Sequence, residues 1–445
     1  MGKYFGTDGI RGKAETFTEE FLEKIVRGLD VRGKRVFIAG DTRESTEVIL
    51  KNLERSLKNN GAKEIGSAGV FPTPGINNVF YNLVYDYAID VTASHNPYTD
   101  NGIKIFEYGE NSGVKLGEDG RNRIEAELEN ELPAEFESFE AETIVINETS
   151  RAKDYYKKHL REYLKEADFS GLRIILDYAN GATSVISGEV FEELGASVTV
   201  INNDRNFGRK INDKVGSTHI EGLQKQVHDG EFDLGAAFDG DGDRCMLVDE
   251  KGGVVDGDEI LAILGKFFGL KALVGTVMAN QGLLNWGKEN GVEVLTTDVG
   301  DQNVAKEMRK KNIKLGGEQS GHIILPGEAM GDGMLTALVV AKVLAETKKP
   351  LSELAAEMKK LPQVMMNVSA TKAQKELLKS SGEIKELINE YSEKLKDVQG
   401  RLLVRPSGTE ELVRITLWGE DQEKIDELGK ELAEKLTEEF EHGRN

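Results

Sequence analysis

A run of alternating acidic residues is the densest chemical motif in the chain. The sequence Phe238-Asp-Gly-Asp-Gly-Asp-Arg244 places three carboxylates at every second position, on Asp239, Asp241 and Asp243. The glycines between them let the backbone curl, so the carboxylates can converge on one hard divalent cation. Without a cation, three like charges this close would raise one another's pKa. The motif therefore predicts an oxygen-ligand metal site, best suited to Mg²⁺ with a position open for a phosphate oxygen.

A calcium loop is an alternative interpretation of the same residues, and it would make the chain a calcium-binding protein rather than an enzyme. Counted from Asp239, the ligand positions of such a loop would fall on Asp241, Asp243 and Glu250. Arg244, however, stands where the loop needs glycine for its sharp turn, and the flanking residues resemble strands rather than helices. The Mg²⁺ interpretation is the better fit.

A second polar segment, residues 92–97, follows the strand-like residues 87–91. Open α/β sheets bind ligands at the carboxyl ends of their strands. Ser94 could serve there as a nucleophile or phosphoryl carrier, with His95 and Lys104 as cationic neighbours. An ordinary turn explains the segment about as well, because Ser, Asn and Pro are common turn residues.

A third polar loop, residues 316–322, is bounded by glycines. The carboxylate of Glu318 could hold sugar hydroxyls while His322 meets a phosphate. Taken alone, a solvent-exposed loop is the favoured interpretation.

A fourth loop combines two guanidinium groups with two hydroxyls around a glycine, a combination suited to binding a phosphate dianion. Arginine is the better residue for this purpose, because its planar fork makes two parallel hydrogen bonds. The residues concerned are Arg405, Ser407, Gly408, Thr409 and Arg414.

The elements that position these loops follow a theme that occurs three times. An apolar run ends in a polar loop, a helical stretch follows, and a glycine introduces a second apolar run, as in residues 35–62, 172–201 and 272–296. Buried parallel strands alternating with helices have this pattern. The last ~80 residues instead suggest a strand, one helix over residues 373–395, two strands and a terminal helix.

The predicted fold class is therefore α/β, with three α/β domains of mixed, largely parallel sheets and a C-terminal α+β domain around a central cleft. Four domains are predicted. Residues 1–150 contain the Ser94 loop, and residues 151–251 contain the metal loop, which carries Asp239, Asp241 and Asp243. Residues 252–362 contain the third polar loop, called the sugar loop below, and residues 363–445 contain the fourth, phosphate-binding loop.

The amino-acid composition limits the classes of partner that the chain is expected to bind. The 445 residues include 78 acidic and 57 basic side chains, a net charge of −21, which disfavours nucleic acid and anionic membranes as partners. The apolar run at residues 337–345 contains Lys342 and is too short to span a membrane. The single cysteine, Cys245, requires no oxidising compartment, so we expect a cytoplasmic protein. The sequence does not reveal the oligomeric state; a homodimer is compatible with it.

Together with residues 6–12, the four loops in this order resemble the α-D-phosphohexomutase superfamily over essentially the whole chain. The resemblance implies that Ser94 is a phosphoserine, that its phosphate and the three aspartates hold Mg²⁺, and that a hexosamine bisphosphate acts as activator. It also implies that four residues surround the transferring group: Arg11, His95, Lys104 and Arg244. The remaining loops would recognise the sugar, through Glu318 and Ser320, and clamp the non-reacting phosphate, through Arg405, Ser407, Gly408 and Thr409.

The resemblance further implies an isomerase that interconverts the 6-phosphate and 1-phosphate of a small-molecule sugar. Gln319 favours glucosamine phosphates, since many members that act on glucosamine have Glu-Gln-Ser-Gly-His in the third loop. Mannose and glucose phosphates are the alternative substrates, and a phosphatase, in which water would discharge the phosphoserine, is the alternative reaction. Three residues depart from the pattern of the superfamily and weaken the assignment of the sugar, but not of the reaction: Gln302, Asn303 and Glu411.

Overall fold

The computed structural model describes residues 2–6, 8–109, 113–132, 142–206, 208–407 and 411–442. The chain forms two compact units. The larger comprises Met1–Thr276 and Thr297–Ala356, and the smaller comprises Val277–Thr296 and Glu357–Asn445.

The first sheet of the larger unit is mixed and holds the Ser94 loop at one strand end. Its strands are β1 (Ile10–Lys13), β2 (Arg35–Gly40), β3 (Glu64–Val70), β4 (Tyr87–Val91), β5 (Asp100–Tyr108), β6 (Gly113–Lys115) and β7 (Ile144–Asn147). Its helices are α1 (Glu19–Leu29), α2 (Thr46–Asn59), α3 (Thr73–Asn82) and α4 (Glu118–Glu129).

The strand order is β1-β5-β4-β2-β3-β7, with β6 beside β5. Strand β2 pairs in parallel with β3 and β4, whereas β4 pairs antiparallel with β5. Leu22, Ile25, Val36 and Ile89 belong to the buried apolar cluster between this sheet and its helices.

The second sheet places the aspartate loop in a hairpin between two neighbouring strands. Its strands are β8 (Arg173–Asp177), β9 (Ser197–Ile201), β10 (Leu234–Phe238), β11 (Cys245–Asp249) and β12 (Val254–Val255), in the order β12-β11-β10-β8-β9. The helices of this region are α5 (Thr149–Tyr163), α6 (Glu189–Glu193) and α7 (Glu221–Gly230). The parallel pairing of β8 with β9 and β10, and the antiparallel pairing of β10 with β11, make this sheet mixed as well.

The third region positions the sugar loop. Its elements in the larger unit are α8 (Gly257–Phe267), β13 (Ala272–Thr276), α10 (Asp301–Lys311), β15 (Gly316–Gly317), β16 (Ile323–Ile324), α11 (Gly333–Thr347) and α12 (Leu351–Ala355). Strand β15 pairs in parallel with β13 and antiparallel with β16, so residues 318–322 form the turn between two strands.

The smaller unit is built on an antiparallel sheet, ordered β17-β19-β18. Its strands β17 (Gln363–Ser369), β18 (Arg401–Pro406) and β19 (Leu412–Trp418) are accompanied by α13 (Lys372–Ser380), α14 (Gly382–Lys394) and α15 (Gln422–His442). Earlier in the chain it takes in α9 (Gln281–Asn290) and β14 (Glu293–Thr297), which ends at the boundary of the unit. The side chain of Asn280 accepts from the N–H of Leu361 and donates to its carbonyl oxygen, which fastens this earlier segment.

The predicted α/β fold with a C-terminal α+β domain is confirmed, with one correction. The single helix predicted over residues 373–395 is two helices, because the Ser381 hydroxyl accepts from the N–H of Ile384 and caps a new helix. Among the residues described, no helix is both long and apolar enough to cross a membrane.

Candidate active site

The three aspartates predicted to bind metal converge in the hairpin between β10 and β11. One carboxylate oxygen from each of Asp239, Asp241 and Asp243 lies within 4.8 Å of the others, and all three side chains are buried. Oδ1 of Asp241 and Oδ1 of Asp243 have no hydrogen-bond partner in the described part of the chain. Burial, together with the charges of Asp241 and Asp243, raises the pKa of Asp239 well above its usual value. Crowded, unsatisfied carboxylate oxygens are the donor set that a hard divalent cation prefers.

Ser94 lies directly against this cluster. It follows β4, is fully buried, and donates from Oγ to Oδ2 of Asp239 at 2.7 Å. Its backbone has φ +53°, in the left-handed region that costs a non-glycine residue about 1 kcal/mol or more. The surrounding structure must therefore hold the Ser94 loop in place, and such strained residues cluster at functional sites.

Two side chains that sequence reasoning missed hold the Ser94 loop. Arg43, which is fully buried, donates from Nη2 to the carbonyl oxygens of Ser94 at 2.9 Å and of Asn96 at 2.8 Å. Its Nε donates to Oδ2 of Asp41 at 2.9 Å, and Nδ2 of Asn212 donates to the same Ser94 carbonyl at 2.9 Å. The clue in the sequence was the position of Asp41 and Arg43 directly after β2, the strand next to β4.

Gly240 allows the aspartate loop to lie very close to the Ser94 loop. A Cβ on this residue would lie 2.6 Å from the carbonyl oxygen of Ser94, a distance that real Cβ atoms essentially never show. A residue with any side chain would therefore push the two loops apart.

Lys104 reaches the aspartate cluster from β5, where it pairs with Asp90 of β4. Its Nζ lies 2.7 Å from Oδ2 of Asp241, 3.1 Å from Oδ2 of Asp243 and 3.2 Å from Oδ2 of Asp8. Burial opposes the charged form of Lys104, but the carboxylates of Asp241 and Asp243 outweigh it and raise the pKa. Lys104 is thus a buried cation beside the predicted metal ligands.

Asp8 links Lys104 to two further cations. Its carboxylate contacts Arg11 at 2.5 Å and makes a short ion pair with Lys115, which also pairs with Asp301 at the start of α10. Arg11 was predicted from the resemblance, whereas Asp8, Lys115 and Asp301 were not assigned roles. Asp8 lies within residues 6–12, the N-terminal segment that contributes to the resemblance, and that position was the available signal.

His95 differs from the sequence expectation. Its Nδ1 lies 3.4 Å from Oγ of Ser94, but burial and the charges of Arg244 and Arg11 lower its pKa to about 4. In this structure His95 is therefore neutral at neutral pH rather than a cation. Arg244 supplies positive charge instead, with Nε 3.8 Å from Oδ1 of Asp243.

The predicted sugar loop is held by α8 and α10. Oε1 of Glu318 accepts from the N–H of Gly300 at 3.0 Å, and Ser320 is exposed. His322 is buried, with Nε2 3.7 Å from Oδ2 of Asp301. The amide of Gln319 donates to Oδ2 of Asp256, the residue that caps α8, at 3.2 Å. Gln319 thus has a structural partner, which weakens the argument that its amide selects the sugar.

The fourth loop belongs to the smaller unit. Arg405 of β18 and Arg414 of β19 are direct cross-strand partners, an arrangement that is unfavourable for like charges. Burial and the charge of Arg414 lower the pKa of Arg405, whose Nε lacks a partner among the described residues. Lys375 donates to the carbonyl oxygen of Ser407 at 2.9 Å. A bound dianion would neutralise this pair of arginines; Gly408 and Thr409 lie outside the described residues.

The calcium-loop alternative is wrong. Glu250, which would be its last ligand, accepts from the backbone N–H of Ser352 at 3.2 Å, and the acidic cluster found among the described residues contains only the three aspartates. A hydroxyl and two cations, on Ser94, Lys104 and Arg244, lie around that cluster, and phosphoryl transfer requires such positioning and charge neutralisation.

Comparisons with known proteins agree with this arrangement of residues. Models of the phosphoglucomutase/phosphomannomutase family match in order: α/β/α domain I at residues 2–135, domain II at 154–253, domain III at 256–361 and the C-terminal domain at 365–435. The fold and the site define an isomerase of the mutase type. The chain belongs to the phosphoglucomutase/phosphomannomutase family, the phosphohexomutases.

Full-length relatives carry a more specific name. The phosphoglucosamine mutase of Clostridium tetani is 39% identical over 459 residues, covering 98% of this chain and 99% of its own. Relatives from Bacillus cytotoxicus and other bacteria have the same name at about 40% identity.

Solved structures share the fold. A phosphoglucomutase/phosphomannomutase family protein from Burkholderia thailandensis has a TM-score of 0.76 at 19% identity, with 97% of each chain covered. The N-acetylphosphoglucosamine mutase of Aspergillus fumigatus, solved with GlcNAc-6P and magnesium, has a TM-score of 0.69 at 17% identity, covering 99% of this chain and 96% of its own.

Proposed function

We propose that the chain is a phosphoglucosamine mutase that interconverts glucosamine 6-phosphate and glucosamine 1-phosphate. The observation that carries the proposal is Ser94, whose Oγ lies 2.7 Å from Asp239 in a buried triad of aspartates. Similarity to proteins of this name over 98% of the chain supports the choice of sugar.

Ser94 is the phosphoryl carrier in this proposal. Its phosphoryl group passes to a free hydroxyl of the sugar phosphate. The bond from phosphorus to Oγ breaks, a bond to the sugar oxygen forms, and the proton of that hydroxyl ends on Oγ of Ser94. The resulting bisphosphate turns round and returns its other phosphoryl group to Oγ of Ser94. A hexosamine bisphosphate supplied from outside would load an unmodified Ser94 by the same reaction and thus act as activator.

The aspartate triad fits Mg²⁺, because its Oδ1 atoms on Asp241 and Asp243 are buried without partners among the described residues. Magnesium is present in the structure of the related Aspergillus enzyme. When bound, the ion would neutralise charge on the transferring phosphoryl group.

The chain's own cations would complete the charge neutralisation. Lys104 and Arg244 contact the triad, and Arg11 pairs with Asp8, which also contacts Lys104. These three cations would orient the phosphoryl oxygens. Neutral His95, with Nδ1 3.4 Å from Oγ of Ser94, could relay a proton there, whereas Asp239, 2.7 Å from the same oxygen, is assigned to the metal.

Substrate recognition is assigned to the other two loops. Glu318 and Ser320 would bind the sugar, with His322 nearby, because a carboxylate can accept from hydroxyls and pair with a 2-ammonium group. Arg405 and Arg414 would bind the phosphate that is not reacting, together with Ser407, Gly408 and Thr409.

A substrate panel tests the proposal. Purified protein with Mg²⁺ and a trace of hexose 1,6-bisphosphate would be given the 6-phosphates of glucosamine, glucose and mannose, and kcat/KM compared. We expect glucosamine 6-phosphate to be preferred at least tenfold. A preference for mannose or glucose phosphate would overturn the sugar assignment, and turnover of none of the three would overturn the mutase.

A homodimeric state, a cytoplasmic location and the absence of nucleic-acid or membrane partners stay predictions. Light scattering of the purified protein would test the first.

A further inference from the structure

A cavity with an unusual charge lies beside the reaction site in the larger unit. It has a volume of about 290 Å³ and lies between α10 and the segment that joins β6 to α4. Its lining includes four cations, Lys115, Arg121, Lys306 and Arg309, but a single carboxylate, Asp301. This balance is the reverse of that of the whole chain, in which 78 acidic residues outnumber 57 basic ones.

Three of these cations have no counterion among the residues that the structure describes. The carboxylate of Asp301 is already paired with Lys115. Arg121, Lys306 and Arg309 make no ion pair or side-chain hydrogen bond that the structure records for the described residues, whereas Lys310, next to Arg309, pairs with Glu307 at 3.2 Å. Three uncompensated positive charges around one concave surface produce a field that attracts anions.

The geometry brings the charges together from two elements. Lys306 and Arg309 are three positions apart on α10, so they project from one face of the helix, and Gln302 lies one turn before them on that face. Arg121 reaches the cavity from the first turn of α4. The cavity also has apolar lining from Phe106, Ile324 and Met330.

We propose that this cavity is a second anion-binding site, which takes a small phosphorylated metabolite with at least two negative charges. The three cations would bind the phosphates, and the apolar lining would contact the rest of the molecule. The site is distinct from Ser94 and the aspartate triad, which do not line it. A chain of ion pairs connects it to the triad: Lys115 contacts Asp301 and Asp8, and Asp8 contacts Lys104, which reaches Asp241.

Inorganic pyrophosphate is a suitable probe, because it carries adjacent anionic groups and no sugar. Met330 lines the cavity and provides a local reporter. Protein labelled with ¹³C at the methionine methyl groups would be titrated with pyrophosphate in metal-free buffer. A Met330→Leu variant would identify the Met330 signal, so binding here is separated from binding elsewhere.

Two paired variants make the test specific. Lys306→Gln/Arg309→Gln removes two charges from the cavity, and Lys310→Gln/Lys311→Gln removes two charges from the same helix outside the lining. We expect the first pair to weaken the pyrophosphate affinity reported by Met330 at least tenfold and the second to change it less than twofold. Thermal unfolding would establish that both variants are folded.

The proposal is overturned if the Met330 signal does not move at saturation, if Lys306→Gln/Arg309→Gln binds like the original chain, or if both pairs weaken binding equally. The last result would indicate general attraction of the helix for anions. None of these outcomes depends on mutase activity, so the proposal can fail while the proposed function stands.

Discussion

Ser94 combines an unfavourable backbone conformation with a hydroxyl fixed against Asp239. Replacing Ser94 by alanine removes the proposed phosphoryl carrier but keeps the backbone contacts of the loop. We expect mutase activity to fall by about a thousandfold or more, because covalent catalysis loses its nucleophile. Steady-state assays with Mg²⁺ and bisphosphate would measure this. Thr99→Ala, in the same loop and exposed, is the control; near-normal turnover by Ser94→Ala would contradict the carrier role.

The metal assignment can be tested at Asp241. Asp241→Ala removes one of three carboxylates, so a hard cation would be under-coordinated and the Mg²⁺ concentration for half-maximal activity should rise at least tenfold. A Mg²⁺ titration of activity would show it, with the exposed Asp229→Asn as control. An unchanged titration would place the metal elsewhere.

Individual residues also show how far the sequence could predict the site. The aspartate triad and the Ser94 loop could be predicted because their members are nearly contiguous. Lys115 and Asp301 could not, because their roles depend on partners far along the chain: Lys115 contacts Asp8, 107 positions away, and Asp301, 186 positions away. For Arg43 the sequence offered only its position after β2, since its loop partners Ser94 and Asn96 lie 51 and 53 positions away. Only the packing of elements creates such contacts.

At the scale of elements, strand β2 supports its neighbour β4 through Arg43. Arg43→Lys keeps the charge but cannot reproduce a guanidinium that serves Asp41 and several loop carbonyls at once. We expect the free energy of unfolding to fall by about 2 to 4 kcal/mol, since hydrogen-bonded groups would be left buried. Urea unfolding would measure it. The exposed Arg55→Lys should cost well under 1 kcal/mol; equal effects of the two substitutions would refute the argument.

The carboxyl group of Asp332 caps α11 and contacts Tyr156 of α5, and its pKa lies in a pH range that can be tested experimentally. Asp332 accepts from the hydroxyl of Tyr156 at 2.9 Å, and burial raises its pKa to about 6, with Glu328 contributing and His159 opposing. The folded state therefore favours protonated Asp332, so this group's contribution to stability falls as the pH rises from about 4 to about 6 and stays lost above that.

Asp332→Asn should remove this dependence while still capping α11. Between pH 7.5 and pH 5, the original chain should gain about 1 kcal/mol more stability than the variant. Urea unfolding at both pH values would test it, and identical pH profiles would show that Asp332 does not titrate in this range.

Helices and strands were predicted correctly where the apolar periodicity is strong. The prediction failed where a side-chain cap determines where a helix begins. The three strand-helix-strand repeats were predicted because strands such as β2 and β8 are buried and leave continuous apolar runs. The predicted burial is wrong for β9, which lies at a sheet edge, and for β14, since both strands are partly exposed. The second repeat nonetheless replaces a long helix with the five residues of α6. The division at Ser381 was missed because the apolar pattern continues across it, and one side-chain hydrogen bond starts the new helix.

At the scale of the whole molecule, the two arginines of the smaller unit should affect substrate binding more than chemistry. Arg405→Lys keeps the charge but loses the bidentate grip on a phosphate, which is worth about 1 to 3 kcal/mol, or roughly a 5- to 150-fold rise in KM. Steady-state kinetics would measure it, with Arg55→Lys again as control. A fall in kcat with KM unchanged would contradict a binding role.

The division into units also has a consequence for genetic dissection. The chain crosses the boundary between the units three times, after residues 276, 296 and 356. A fragment beginning at residue 357 would lack α9, and also the carbonyl oxygen of Ala279 to which Arg401 donates. A stop codon at the same place would remove Leu361, to which the side chain of Asn280 hydrogen-bonds. Neither unit can therefore be cut out as one continuous gene segment, and complementation from separately expressed halves would require three splice points.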